Sequence, residues 1–154
     1  MNRQLAPTDM TELIDIRAIE PHDAPAISVL MRGLGFKHSV EEIARRLALA
    51  SDRKMDPAFL AEQRDAPVGL LALHIAPLLF YPQPLARITT IVVTETARRR
   101  GVGRSLVEFA RAVAKRAGCD TLELTSGLGR TEAHTFYEAV GFHRSGVRMA
   151  CQIA

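Results

Sequence analysis

A change in the spacing of apolar residues between positions 86 and 117 constrains the fold of this chain more than any other feature. Residues 86–94 (ARITTIVVT) are rich in β-branched side chains, which favours a strand. Beyond an arginine- and glycine-rich stretch, apolar residues recur every three or four positions, which predicts a helix with one apolar face. These residues are Leu106, Val107, Ala110, Val113, Ala114 and Ala117, and Gly118 is placed to end the helix. A strand that leads through a loop into such a helix, with another strand at 120–126, indicates an α/β fold with a crossover connection.

The rest of the chain supplies further predicted elements on both sides of this unit. Strands are predicted at residues 12–20, 57–63, 68–76 and 145–153, and helices at 21–35, from the Ser39–Glu42 capping box onward, and at 131–140. The resulting order is β-α-α-β-β-β-α-β-α-β, which predicts a mixed, mostly antiparallel sheet flanked by helices. We interpret residues 1–11 as a flexible leader and 12–154 as one domain, because no repeat or linker divides them.

Composition excludes several classes of protein. The net charge of +3 permits an anionic ligand without requiring nucleic acid. The longest apolar stretch, residues 68–82, is interrupted by His74 and Pro77 and is too short for a membrane span. Cys119 and Cys151 lack the spacing of a zinc site, so we expect no metal. The N-terminus has no apolar signal segment, and we expect a cytoplasmic location without membrane contact.

The stretch RRRGVGRS (98–105) between strand and helix has three possible interpretations. It could be a solvated charged turn, a nucleic-acid patch, or a cradle for a small phosphate ligand. A helix N-terminus offers unpaired N–H groups to a phosphate, and glycine lets the ligand approach the backbone. No aromatic residue lies near the arginines to stack on bases. The strand-before, helix-after setting therefore favours the phosphate cradle, and we expect no nucleic-acid partner.

Two motifs closely resemble those of the GNAT superfamily of acetyl-CoA-dependent N-acetyltransferases. IVVTETARRRGVGRSLV (91–107) is similar to the acyl-CoA pyrophosphate signature, with Arg98, Gly101 and Gly103 at its fixed positions. EAHTFYEAVGF (132–142) is similar to the second signature, and the two lie about 30 residues apart. The resemblance covers residues 12 to 152.

The resemblance implies a binding site for acetyl-CoA as co-substrate. A bulged fourth strand would separate from the fifth and leave a V-shaped gap, where pantetheine would pair with backbone groups of Ile91 and Val93. Pyrophosphate would lie on the amides of Arg99 to Arg104, with Ser105 nearby. The residues implied for acetyl-CoA are Ile91, Val92, Val93, Arg98, Arg99, Arg100, Gly101, Val102, Gly103, Arg104, Ser105 and Tyr137. Many relatives have an asparagine where this chain has Arg130, in a longer loop, which puts that side-chain contact with pantetheine in doubt.

The resemblance also implies a direct transfer with Tyr137 as general acid. A tyrosine hydroxyl with a pKa of about 10 is matched to a departing thiolate. The general base stays open, because residues 86–90 (ARITT) carry no carboxylate. His74 is one candidate, since imidazole titrates near neutral pH, although a lone strand histidine is more often structural. Weaker candidates are Glu20, Glu95, Glu123 and His134, and an amine of low pKa would need no base.

The acceptor is expected at the first two helices and the loop around YPQP (81–84). The candidate lining residues are His22, Asp23, Arg32, His38 and Tyr81. We expect a small amine, with a protein N-terminus or lysine as the alternative acceptor. A non-catalytic acyl-CoA-binding module is the alternative function. Edge strands in this family often pair between subunits, which makes a homodimer the expected assembly.

Overall fold

The computed structural model describes residues 13–49 and 54–153, in which five strands form one sheet. They are β1 (Asp15–Ala18), β2 (Ala58–Gln63), β3 (Ala66–Ala76), β4 (Leu85–Val93) and β5 (Thr121–Leu124), and they lie side by side in this order. The pairs from β1 to β4 are antiparallel, and β5 is parallel to β4. The mixed, mostly antiparallel sheet predicted from the sequence is therefore confirmed.

Four helices cover the two faces of this sheet. They are α1 (Ala24–Arg32), α2 (Val40–Leu49), α3 (Val102–Arg116) and α4 (Thr131–Ala139). Helices α1 and α2 pack on one face in a cluster that includes Leu60, Leu70 and Val92. Helix α3 packs on the other face, over Leu71 and Leu73. The sheet thus separates two apolar layers, as the alternation of side chains along a strand requires.

The helix ends follow the predicted capping residues. The Ser39 hydroxyl accepts a hydrogen bond from the Glu42 amide at 3.1 Å, which is one half of the predicted capping box, while the Glu42 carboxylate contacts His38 and Arg46. Gly118 has a φ of +79° just beyond α3, and its amide donates to the Lys115 carbonyl at 3.0 Å. The next amide, of Cys119, donates to the Ala114 carbonyl, which completes a Schellman motif.

A bulge in β4 separates it from β5. Ala72 of β3 lies opposite Thr90 and Leu73 lies opposite Ile88, so Thr89 is an extra residue in β4. The parallel pairing of β4 with β5 ends at Ile88 and Leu124. A bulge bends a strand and increases its twist. Residues 89–93 of β4 therefore have no partner strand on the β5 side among the described residues. We call this unpaired side the gap; it lies where the resemblance implied a V-shaped opening.

The predicted last strand is wrong. Residues 143–153 form neither helix nor strand, and their side chains are exposed. The alternation of apolar residues in this segment has the period of a strand, but a strand exists only where its backbone groups are paired. The predicted leader, residues 1–11, lies outside the described residues. No helix in the described ranges is long and apolar enough to cross a membrane.

Candidate active site

Two residues of β4 direct backbone groups into the gap. The Thr94 amide donates to the Val68 carbonyl at 2.9 Å, so the groups of Thr94 and Val92 point toward β3. Because successive residues of a strand point in opposite directions, those of Ile91 and Val93 point toward the side that β5 has left. The structure thus leaves the amides of Ile91 and Val93 and the carbonyl of Ile91 without a strand partner on this side, whereas the Val93 carbonyl accepts from Arg98.

The backbone groups of Val92 point away from the gap, unlike those of Ile91 and Val93. Its side chain is buried under α1, where a β-carbon built on Gly33 would lie 3.6 Å from Cγ2 of Val92. Its backbone groups belong to the β3–β4 ladder. The structure therefore gives Val92 a packing role, and it brings the end of α1 to the carboxyl-terminal half of β4.

The N-terminus of α3 forms an open backbone cradle next to the gap. Gly101, before the helix, has a φ of +87° and open space where a β-carbon would stand. Arg99 also has a positive φ, of +64°. The Ser105 amide is the first to close a helical turn, donating to the Gly101 carbonyl at 3.0 Å. The amides of the residues before it in α3 have no helical acceptor, and they carry the positive end of the helix dipole.

The arginines around the cradle have different roles. The side chain of Arg98 folds back onto the strand, where Nε donates to the Val93 carbonyl at 3.3 Å. It also lies 3.9 Å from a Glu95 oxygen. The other three arginines of the motif are exposed; they are Arg99, Arg100 and Arg104. Arg98 therefore holds the loop to the end of β4, while the others supply positive charge at the cradle.

Two buried hydroxyls lie at the two strand ends that border the gap. Thr94 follows β4, and Ser126 lies two residues after β5. Their Oγ atoms are buried and have no hydrogen-bond partner among the described residues. Leaving a buried hydroxyl without a partner is unfavourable, so both atoms fit a ligand that brings polar groups into the gap. The sequence motifs did not point to either residue; the available signal was a hydroxyl at the end of each predicted strand, 86–94 and 120–126.

Gly103 joins the two sequence motifs in space. A β-carbon built on Gly103 would lie 3.1 Å from Cζ of Phe136 in α4. The space next to this glycine is therefore occupied by an aromatic ring. The sequence had predicted that a phosphate would lie there. Since Phe136 packs against Tyr137, with ring centroids 5.4 Å apart, the absence of a side chain at position 103 sets the position of α4.

Tyr137 lies half-buried among aromatic side chains. The Phe142 ring packs edge-on against it, with centroids 5.9 Å apart, and the Phe142 amide donates to the Tyr137 carbonyl at 2.9 Å. Burial raises the pKa of Tyr137 above its ordinary value of 10, and the nearby Arg130 charge opposes that rise. The hydroxyl is therefore protonated at neutral pH, as a proton donor must be.

His74 lies on the exposed part of the sheet face that α1 and α2 partly cover. Its Nδ1 is 2.8 Å from Oδ1 of Asp56, and it sits opposite Arg87 in β4. Arg87 in turn pairs with Glu123 of β5. These side chains form a row of charged groups across the sheet. Its last member, Glu123, comes one residue before Leu124, where the pairing of β4 with β5 ends.

An open pocket of about 500 Å³ lies between α1 and α2. It is lined by Arg32, Gly35, Phe36, Lys37, His38 and Ser39. The His38 ring stacks on Phe36 at 5.8 Å, and the Ser28 hydroxyl donates to the His38 carbonyl at 3.0 Å. Arg32 and Lys37 are exposed and have no acidic partner within the described ranges. A β-carbon built on Gly33, just after Arg32 of this pocket, would lie 3.6 Å from Cγ2 of Val92, so this end of the pocket is near β4.

The other predicted acceptor residues are not in this pocket. Asp23 is buried and forms a two-point ion pair with Arg17 at 2.8 Å, so it belongs to the structural framework. His22 and Tyr81 are exposed, the latter in the β3–β4 loop. Among the described residues, no three His, Cys, Asp or Glu side chains group in a way that could hold a metal ion.

Comparison with known proteins agrees with this geometry. The family model of the acetyltransferase (GNAT) family matches residues 27–142, which include both motifs and the gap between β4 and β5. The chain belongs to the GNAT family. It is an acetyl-CoA-dependent N-acetyltransferase, as the sequence predicted.

Individual relatives cover nearly the whole acetyltransferase. An aminoalkylphosphonate N-acetyltransferase of Salmonella typhimurium is 27% identical over 91% of this chain and 92% of that protein. An aminoglycoside N-acetyltransferase in complex with CoA has the same fold, with a TM-score of 0.82 over 97% of this chain and 99% of that one, at 17% identity. Glucosamine-6-phosphate N-acetyltransferase of Arabidopsis thaliana also shares it, with a TM-score of 0.79 over 93% and 100% of the two chains, at 23% identity.

Proposed function

We propose that the enzyme transfers the acetyl group of acetyl-CoA directly to the primary amine of a small molecule, with both substrates bound together. The observation that carries this proposal is the opening between β4 and β5. It has backbone amides without a strand partner on one side and the N-terminus of α3 at one end, and the α1–α2 pocket follows the end of α1, the helix that packs over Val92. The two substrates can therefore approach from different sides.

The residues of the gap and the cradle fit CoA. Ile91 and Val93 offer peptide groups to pantetheine, and the unpartnered hydroxyls of Thr94 and Ser126 can bond its amides. The first amides of α3 and the open space at Gly101 fit the pyrophosphate. Acetyl-CoA supplies the activated acyl group, and this chain's part is to bind, orient and protonate.

Tyr137 is proposed as the general acid. When the amine nitrogen bonds to the acyl carbon and the carbon–sulfur bond breaks, the electron pair leaves on sulfur. The protonated Tyr137 hydroxyl gives its proton to that thiolate. The raised pKa of Tyr137 keeps the hydroxyl protonated at neutral pH, so the proton is present when the thiolate leaves.

His74 is proposed as the base that takes the proton from the amine. The contact of its Nδ1 with Asp56 leaves Nε2 to accept a proton, directly or through water. Its position near the β4 bulge, on the face that carries the α1–α2 pocket, supports this role.

We further propose that the amine acceptor carries a negatively charged group, such as a phosphonate, a phosphate or a carboxylate. The pocket beside β4 presents Arg32 and Lys37 without acidic partners among the described residues. A polycationic acceptor would be repelled there. The similarity to an aminoalkylphosphonate N-acetyltransferase over 91% of the chain supports the same class of acceptor.

The test is a thermal-shift assay followed by a thiol-release assay. Acetyl-CoA and desacetyl-CoA at 100 times their Kd should each stabilise the fold by about 2.7 kcal/mol, whereas ATP, NAD and a short DNA duplex should not. Thiol release should then be faster with 2-aminoethylphosphonate than with ethanolamine or spermidine. CoA binding without turnover on amines or peptides would instead indicate a non-catalytic acyl-CoA-binding module. Turnover confined to peptides would indicate a protein acetyltransferase.

The chain is also proposed to form a homodimer. Among the described strands, β1 and β5 each pair on one side only and leave an open sheet edge. Open edges are surfaces on which a second chain can add a strand. The cytoplasmic location stays a prediction from the sequence.

A further inference from the structure

An arginine stands where the helix of the second sequence motif begins. Arg130 is the N-cap residue of α4, and its side chain makes no capping hydrogen bond. The N-cap position favours Ser, Thr, Asp or Asn, and a positive charge there is unfavourable because it faces the positive end of the helix dipole. Arg130 is exposed and has no acidic partner among the described residues. A residue that breaks local rules without a compensating contact is expected at a functional site.

The loop that ends at Arg130 lies beside the gap. It connects Leu124, where the pairing of β4 with β5 ends, to α4. The Arg130 amide donates to the Gly127 carbonyl at 3.1 Å, and a β-carbon built on Gly127 would lie 3.9 Å from Cγ of Arg130. The same loop holds Ser126, whose buried Oγ has no partner among the described residues. A hydroxyl and a cation without protein partners therefore lie in one short loop at the end of β5.

Arg130 and Tyr137 are on the same side of α4. The His134 amide donates to the Arg130 carbonyl at 3.0 Å, so Arg130 is joined to the first turn of the helix. Residues seven apart lie two turns apart on one face, about 10 Å along the helix axis. A helical tyrosine leans toward the helix N-terminus, and an arginine has a long flexible side chain, so the two side chains can meet. The Arg130 charge acts on the Tyr137 hydroxyl, where it opposes the rise in pKa that burial causes.

Neighbouring ionised side chains on these helices have partners of their own. They are Arg111 of α3, paired with Glu108 at 2.6 Å, and Glu138 of α4, paired with Arg144 at 3.5 Å. Because Arg130 has no such partner in the part of the chain that the structure describes, its charge is available to a negative charge that forms at Tyr137.

We propose that Arg130 is a further active-site residue, whose guanidinium stabilises the negative charge that acetyl transfer leaves on Tyr137. This inference rests on the proposed function. The amine nitrogen bonds to the acyl carbon, the carbon–sulfur bond breaks, and its electron pair leaves on sulfur. Sulfur takes the proton of the Tyr137 hydroxyl, so CoA departs as a thiol and the tyrosine oxygen carries the negative charge until water returns a proton. An ion among aromatic rings is unfavourable without a partner, and Arg130 supplies that partner.

A titration of Tyr137 tests the contact without using activity. The chain has two tyrosines and no tryptophan, so Tyr81→Phe leaves Tyr137 as the single phenol. The protein is produced with a fluorinated tyrosine, which ionises at lower pH than tyrosine, and its phenol is titrated by ultraviolet absorbance. All forms also carry His134→Gln, so that no imidazole on this face of α4 titrates in the same range. Arg130→Met should raise the pKa of the phenol, Arg130→Lys should restore it in part, and Arg148→Met should leave it unchanged.

Kinetics of the unfluorinated enzyme test whether the reaction uses this charge. Because Arg130 is exposed and water screens its charge, kcat of Arg130→Met should fall by about tenfold, less than for loss of a buried donor. The Kd of acetyl-CoA should stay near the wild-type value, and Arg130→Lys should recover most of the rate. Circular dichroism checks that each variant is folded. Arg148→Met, which removes the same charge from an exposed position, should keep the wild-type kcat.

Each other result overturns the inference in a different way. A phenol that titrates alike in wild type and Arg130→Met would show that the charge does not reach Tyr137. An equal shift in Arg148→Met would reflect only the net charge of the protein. A shifted phenol with unchanged kcat would show that turnover does not place a negative charge on Tyr137. Since the titration needs no substrate, a missing contact is distinguishable from a chain that does not transfer acetyl groups to amines.

Discussion

At the scale of single residues, Tyr137 carries the sharpest prediction of the mechanism. Tyr137→Phe removes the proton donor and keeps the ring that packs on Phe136 and Phe142. We expect kcat to fall by about 10²–10⁴-fold with the Kd of acetyl-CoA near the wild-type value. Thiol release and calorimetry measure the two quantities. Unchanged turnover would remove Tyr137 from the chemistry.

The pKa of Tyr137 also predicts a pH dependence. A general acid works only while protonated, and burial moves the pKa of this hydroxyl above 10. In a plot of kcat against pH, the fall that results from deprotonation of Tyr137 should therefore lie above pH 10. Between pH 7 and 9, kcat should not decline through loss of this proton. In Tyr137→Phe that alkaline limb should be absent. A limb that persists in the variant would belong to another group.

Gly103 is predicted to be a packing residue. Gly103→Leu would drive a side chain into the Phe136 ring, which lies 3.1 Å from the position of a β-carbon. Overpacking of this kind costs about 1–3 kcal/mol and should displace α4, lowering both stability and turnover. Urea unfolding measures the first effect. The control is Gly129→Leu, because Gly129 has open space around it. Equal stability of the two variants would contradict the contact.

The sequence identified the two glycines of the cradle but not their difference. Both were predicted to make room for phosphate. Only the folded backbone shows that Gly101 needs a left-handed φ and faces open space, whereas Gly103 faces Phe136 of the second motif. The unpartnered hydroxyls of Thr94 and Ser126 also escaped the sequence, because burial without a partner depends on the tertiary structure.

At the scale of elements, the spacing of apolar residues correctly predicted helices and strands wherever a segment buries one face. Helix α3 has its predicted stripe and its Gly118 cap, and β4 forms within the predicted residues 86–94, whereas its bulge was implied only by the family resemblance. The last strand failed for a physical reason. Alternation in residues 145–153 reports which side chains share a face, but pairing depends on a neighbour that the sequence of one chain does not name.

The α1–α2 loop is predicted to select acceptors that carry a negative charge. Lys37→Ala should raise the KM for 2-aminoethylphosphonate about tenfold, equivalent to ~1.4 kcal/mol, and leave the Kd of acetyl-CoA unchanged. Steady-state kinetics measure it. The control Arg45→Ala removes the same charge from an exposed position on α2 that does not line the pocket. An equal rise in both variants would reflect only the overall charge.

The junction of β1, β2 and α1 depends on the buried Asp23. Arg17 donates to both oxygens of Asp23 and also to Glu62 of β2. Asp23→Ala should lower the free energy of unfolding by about 2–3 kcal/mol, whereas Asp15→Ala, at an exposed position in β1, should change it little.

The Arg17 guanidinium holds the pKa of Asp23 below its usual value of 3.8. The stabilisation is therefore present above about pH 4 and is lost as the pH falls below it. Urea unfolding at pH 7 and pH 3 measures both effects, and an unchanged difference between wild type and Asp23→Ala at pH 3 would contradict this account.

At the scale of the whole molecule, the position of Tyr137 depends on the packing of α4 against α3 through Phe142. The Phe142 amide donates to the Tyr137 carbonyl, and its ring packs edge-on against the Tyr137 ring. The Arg111 side chain of α3 lies over the Phe142 ring, 5.7 Å from its centroid. Misplacing a catalytic group by even 1 Å can be costly in rate.

We therefore expect Phe142→Ala to lower kcat, with the Kd of acetyl-CoA near the wild-type value, because this ring is not part of the α3 cradle or of the β4 backbone. The comparison is with Arg148→Glu, at an exposed position further along the chain, which should keep the wild-type kcat. Steady-state thiol release measures both. Adding Tyr137→Phe to Phe142→Ala tests the route of the effect. If Phe142 acts through Tyr137, its truncation should slow the Tyr137→Phe enzyme less than it slows the wild type. Equal slowing in both backgrounds would show that Phe142 and Tyr137 act independently.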